Sequence, residues 1–216
     1  YNNQKFAHCQ EKVDKFFKTT FIINFLLTST RVIILHNTIT PFISWWLGEE
    51  YLLGYTTLCV ILFNFYIDVM RSTALTFKTK AGIFVKDRFT PLLQGIINLV
   101  LSYIFVQFWG LAGVLFATSI SILSIGFWQF PRLCYKYVFH QPLWQYFRKY
   151  IFYSLVGGLA LLLSFCFCEF FTWEYPLLQM AYNSIISLFV VLGIYYIFFH
   201  HTLQYAQLLV YVKNVI

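Results

Sequence analysis

The sequence predicts an all-α integral membrane protein, a bundle of about six transmembrane helices. Three observations predict it. First, the 216 residues are 60% hydrophobic and 22% aromatic but only 11% charged, against about 25% charged in an ordinary soluble domain. Second, the stretches Phe89 to Pro131 and Tyr175 to Val212 contain no Asp, Glu, Lys or Arg apart from their flanks, and roughly 20 apolar residues suffice to cross a bilayer. Third, the basic residues are confined to alternate links between the apolar segments, as in a multi-pass chain that obeys the positive-inside rule.

Spans are expected at about 19–46, 51–70, 90–109, 111–130, 150–172 and 178–199. The first is long and carries Arg31, His36 and Pro41, so a bend or tilt is expected. The charge-free run after Arg88 is long enough for two spans. It divides at Trp109-Gly110-Leu111-Ala112-Gly113, where two glycines allow a tight turn. The links Arg71 to Thr90 and Arg132 to Tyr150 mix Lys and Arg with Phe, Ile, Trp and Tyr, the composition of amphipathic helices lying at a membrane surface.

Every Lys and Arg except Arg31 falls in the N-terminal segment, the second link, the fourth link or the tail. Both termini and those two links are therefore expected in the cytoplasm. The net charge of +7 is then a matter of topology rather than of nucleic-acid binding. No ten-residue apolar/polar alternation of an outer-membrane barrel is present, and no signal peptide with a small-residue cleavage site. Five cysteines, mostly in apolar runs, read as reduced packing residues. Cys166 and Cys168 give only a weak metal signal. The chain opens on Tyr1 rather than Met, and residues 1–18 read as a cytoplasmic link feeding a span. The expectation is one half of a larger carrier built from two repeats; a complete six-span protein stays open.

Ionisable groups at membrane depth need a reason, because each costs a few kcal/mol. Arg31 is the clearest. Asn24, Thr28, Arg31 and Thr38 fall within roughly an 80° arc of a helix, a face suited to a bundle interior or a wet cavity. A guanidinium keeps its proton and offers a planar fork to phosphate or carboxylate. The competing reading is structural, a pair with Asp68 or a snorkelling side chain. His36 reads as a packed, hydrogen-bonded histidine.

In the second span, Thr57, Asn64, Asp68 and Arg71 lie within about 60° of one another. Asp68 and Arg71 can pair at the membrane edge. Otherwise Asp68 would couple ion or proton movement and Arg71 would catch a phosphate at a cytoplasmic gate. Gln94, Asn98 and Ser102 recur every fourth residue, which favours hydrogen bonds between helices. Gly157 and Gly158 are expected to allow close helix approach. The chain contains no Walker loop, no metal-spaced His/Asp/Glu cluster and no nucleophile elbow, so no catalytic residue, metal or cofactor is assigned.

Local sequence adds a resemblance. Residues 39–53, with Trp46-Leu47-Gly48-Glu49-Glu50-Tyr51-Leu52, are followed by Asn64-Phe65-Tyr66, Met70-Arg71, Phe77-Lys78, Ala81-Gly82-Ile83-Phe84, Asp87-Arg88, Pro91-Leu92 and Ile96-Ile97-Asn98. Gly110-Leu111-Ala112-Gly113-Val114 and Tyr135-Lys136-Tyr137-Val138-Phe139 continue the series. This order resembles the bacterial polysaccharide repeat-unit flippases, the O-antigen, capsule and exopolysaccharide transporters of the MATE-like superfamily.

The resemblance spans roughly residues 15–200. It implies that residues 1–216 form a single lobe, the C-terminal one of a twelve-span carrier whose N-terminal lobe lies outside this chain. It implies alternating access, with an undecaprenyl-diphosphate-linked oligosaccharide moved from the cytoplasmic to the outer leaflet and no bond made or broken. Arg31 would hold the diphosphate, with Arg71 and Lys78 near the cytoplasmic mouth; Asn24, Thr28, Asn64, Asp68 and Asn98 complete the expected cavity lining. The expected partners are the lipid-linked oligosaccharide, membrane lipids, a polysaccharide polymerase and a chain-length regulator. Competing classes are a drug or ion exporter of the same superfamily, and a polysaccharide polymerase or membrane acyltransferase.

Overall fold

The computed structural model describes residues 2–200, with side chains from Gln10 onward. Lys5, Cys9, His201 and Lys213 lie outside the described side chains. All elements longer than a single turn are helical, and the described residues contain no strand. The principal helices are α1 (Asn2–Trp46), α2 (Tyr55–Lys80), α3 (Thr90–Ser121), α4 (Phe127–Cys134), α5 (Trp144–Glu169) and α6 (Pro176–Phe199). Five helical stretches are long and apolar enough to cross a membrane: Gln10–Trp46, Tyr55–Lys80, Val85–Phe139, Trp144–Glu169 and Pro176–Phe199. In the most apolar part of Val85–Phe139 only 6% of the residues are buried within the protein. That surface is left for lipid, and the chain reads as a multi-pass membrane protein.

Boundaries move where charge misled the sequence reading. Helix α2 runs through Arg71 and Lys78 to Lys80, so the first half of the expected surface helix is a direct extension of the second span. Its carbonyls stay paired by continuing the helix, which the scattered charges do not prevent. Gly82, at φ 71°, then turns the chain back, and Pro91 starts α3 at a position where its missing N–H is harmless. The expected turn after Trp109 is present. Gly110 adopts φ 55°, ψ −133°, and Asn98 Nδ2 donates to Thr118 Oγ1 at 3.0 Å across it. The two arms of α3 therefore run side by side. Gly113 makes this possible, because a Cβ there would lie 2.2 Å from the Phe105 carbonyl oxygen.

The described chain divides into two compact units. One comprises the chain up to Asn24 with Phe63–Lys149; the other comprises Phe25–Leu62 with the chain from Tyr150 on. In the first, Phe17 stands at the centre of an aromatic core with Phe77, Tyr135 and Phe139, at centroid distances of 5.0, 6.0 and 4.9 Å. Such tilted and edge-on pairs add to the area they bury. Cys134 Sγ caps the Ala74 carbonyl at 3.1 Å.

In the second unit Phe25 packs on Tyr153, Tyr195 and Phe199. Gly157 lets α5 approach: a Cβ there would meet the Phe25 ring at 3.3 Å. A polar knot lies further along. Asn37 Nδ2 donates to Ser164 Oγ at 2.7 Å and to Ser187 Oγ at 2.9 Å. Pro41 has no N–H to offer the Asn37 carbonyl four residues back, and Asn183 Nδ2 donates to that carbonyl instead, at 2.7 Å. The proline and the asparagine thus compensate each other, as buried backbone in hydrocarbon requires.

Candidate functional site

The first unit contains a cavity of about 490 Å³. Arg71, Leu75 and Lys78 from α2 form one wall; Pro91, Gln94, Gly95 and Asn98 from the first arm of α3 form another. Thr118, Ser121, Phe130 and the turn residue Asp87 close it. The spacing on α2 brings this about: Arg71 and Lys78 are seven residues apart, two turns along one face. The turn at Gly82 then carries Asp87 back to Lys78.

The cations are engaged. Arg71 Nε and Nη2 donate to Asp68 Oδ1 at 2.8 and 2.6 Å, and Nη1 donates to Gln94 Oε1 at 3.2 Å. Lys78 Nζ donates to Asp87 Oδ2, and both side chains are 5% exposed. Both cations lie over the Phe130 ring, at 5.6 Å for Arg71 and 4.9 Å for Lys78, an attraction that strengthens away from water. Gly126, in the π-helical turn Ile122–Gly126, provides the room: a Cβ there would sit 2.6 Å from Arg71 Nη1 and 2.8 Å from Gln94 Oε1. A π turn shifts the register of the helix beyond it, a frequent feature at functional positions.

Three expected site residues, Arg71, Lys78 and Asn98, are thus brought to one cavity, and Asp68 holds Arg71 from beside it. Asp68 and Arg71 form the mutual pair that the i, i+3 spacing allows. Asn64 packs nearby in a supporting role: its Nδ2 donates to the Leu115 carbonyl at 2.9 Å and its Oδ1 accepts from Ser119 Oγ at 2.6 Å. Asn24 donates to Thr73 Oγ1 at 2.6 Å, a helix-to-helix bond within the same unit.

The Arg31 stripe is not uniformly buried. Asn24 belongs to the first unit; Thr28, Arg31 and Thr38 belong to the second. Thr28 and Thr38 are buried, whereas Arg31 is exposed between exposed Leu27 and Leu35. The buried face of this half of α1 is marked by Ser29 and Ile33, each two residues from Arg31 and so about 160° round the helix. Among the described residues no ion pair involves Arg31. His36 is packed as expected, 8% exposed, with Nδ1 3.0 Å from Asn37 Oδ1.

Sequence reasoning missed Asp87 and Phe130 as wall residues, and Gly126 as the glycine that leaves room for Arg71 and Gln94. Asp87 gave one signal, an acidic residue just beyond a glycine turn that follows a lysine-bearing helix. Phe130 gave none among so many aromatics. Comparison with family models, with characterised proteins and with solved structures returns no match.

Proposed function

We propose that the chain is the C-terminal, MATE-like lobe of a transporter that flips undecaprenyl-diphosphate-linked oligosaccharide units across the bacterial cytoplasmic membrane by alternating access. Counting the two arms of α3 separately gives six spans, with both termini cytoplasmic. The chain makes and breaks no bonds. It lets a polar head cross hydrocarbon while the lipid tail stays in the bilayer, and it hands its cargo to a polymerase and chain-length regulator.

The observation that carries this reading is Arg31. A guanidinium in the middle of an apolar helix, exposed and with no carboxylate partner among the described residues, is costly unless an anion completes it. A diphosphate does so with bidentate, charge-assisted hydrogen bonds. The competing cations Arg71 and Lys78 are already paired.

Arg31→Ala in the full-length transporter is expected to lower export of surface polysaccharide about tenfold or more, the loss of one charge-assisted contact of about 1.5–3 kcal/mol. Membrane abundance should not change, since Arg31 is exposed and holds no ion pair among the described residues. Quantitative immunoblotting of membranes beside surface polysaccharide measures both. Normal export by this variant would remove Arg31 from the substrate path.

A further inference from the structure

We propose that the cavity of the first unit is a saccharide site: it takes an uncharged, hydroxyl-bearing ring through Asp87 and excludes phosphate. This deepens the transport reading above and rests on it, because it divides the expected cargo between two places, with the phosphate left to a cation elsewhere.

Charge is the first ground. The walls and their immediate support hold two cations, Arg71 and Lys78, and two carboxylates, Asp68 and Asp87, in two ion pairs. No net positive charge remains to draw a phosphate in. A phosphate reaching Lys78 would have to displace Asp87, leaving a buried carboxylate beside a new anion, and both effects are unfavourable.

An unsatisfied acceptor is the second. Asp87 is 5% exposed and lines the cavity. Its Oδ2 takes Lys78, while its Oδ1 is buried with no hydrogen-bond partner. An ionised carboxylate only accepts, and a buried acceptor left unmet costs free energy. Its missing partner must be a donor. A sugar hydroxyl donates; a phosphate at neutral pH mainly accepts.

The rest of the wall agrees. Gln94, Asn98, Thr118 and Ser121 offer neutral amide and hydroxyl groups, and Leu75 and Pro91 offer apolar surface. That mixture suits the alternating O–H and C–H surface of a pyranose. The volume of about 490 Å³ lies within the roughly 300–1,000 Å³ of small-molecule sites, enough for a short saccharide.

The test is binding, read without transport. The full chain in lipid nanodiscs is titrated with maltose, cellobiose and diacetylchitobiose, and separately with inorganic pyrophosphate, by saturation-transfer difference NMR. At least one disaccharide should bind, and pyrophosphate should not displace it. The paired variant Lys78→Gln/Asp87→Asn keeps a neutral hydrogen-bonded pair in place of the ions and should weaken sugar binding tenfold or more. Gly95→Leu tests the same cavity without touching either ion pair: a Cβ at Gly95 meets nothing within 4 Å, so the side chain enters open space, and binding should be lost. Displacement of the sugar by pyrophosphate would overturn the proposal, as would no disaccharide binding by the folded chain or undiminished binding by Gly95→Leu. A chain that binds disaccharide yet moves no lipid-linked saccharide in cells would keep this site and discard the transport reading.

Discussion

Lys78→Met should destabilise the chain by about 3–5 kcal/mol, the usual consequence of removing one partner from a buried ion pair. The two side chains are 5% exposed, so Asp87 would be left charged, buried and stripped of its lysine. One of its oxygens is already unmet. Asp87→Leu should cost a similar amount by stranding the ammonium. The double variant Lys78→Met/Asp87→Leu should recover most of the loss, because a well-packed apolar pair is often no worse than the ions it replaces. Unfolding titrations in mixed micelles of the wild type, two single variants and the double variant give the coupling directly. Additive single effects would show that the pair is not a unit.

Gly113→Ala should be the most damaging of the glycine-to-alanine substitutions. The added carbon falls 2.2 Å from the Phe105 carbonyl oxygen and 2.6 Å from its carbon. Both are backbone atoms, so no rotamer change relieves the overlap. The arms of α3 must separate, straining the Asn98–Thr118 bond and the contact of Asn64 with Leu115 and Ser119. A loss of about 3 kcal/mol, the upper part of the overpacking range, is expected. Gly110→Ala fails for the opposite reason. Space is free around it, but φ 55° with ψ −133° is a conformation that only glycine adopts cheaply, and about 1–3 kcal/mol of strain results. The same unfolding titration measures both, and a neutral Gly113→Ala would contradict close contact of the two arms.

The parts of this architecture that depend on nearest neighbours along the chain were legible in the sequence. Helical spans come from the length of apolar runs. The turn at Gly110 comes from two glycines inside a run too long for one crossing. The Asp68–Arg71 pair comes from i, i+3 spacing on one helix face. Asn98 was read as reaching another helix, and it does.

The stripe through Arg31 was legible only in part: Thr28 and Thr38 are buried, and Arg31 is exposed. A polar stripe through Arg31 looks like an interior face when only the helix is considered. Burial is decided by the elements that pack against it, and here Ser29, Ile33, His36 and Asn37 carry the inner surface. Asn37, the hub of the polar knot, drew no attention because its partners come from Ser164, Asn183 and Ser187, more than a hundred residues away. The Lys78–Asp87 pair was hidden for a related reason. Nine residues separate the two, and only the reversal at Gly82 joins them.

Movement of a lipid-linked saccharide between leaflets is the central claim. The most direct measurement uses cells lacking the intact gene: the undecaprenyl-linked units are quantified and assigned to a leaflet by their accessibility to a membrane-impermeant glycosidase. Units should accumulate on the cytoplasmic face, and surface polysaccharide should be lost. Single units accumulating on the outer face would place the block at polymerisation and contradict the claim. An unchanged pool on both faces would contradict the polysaccharide reading altogether and favour an exporter of other cargo.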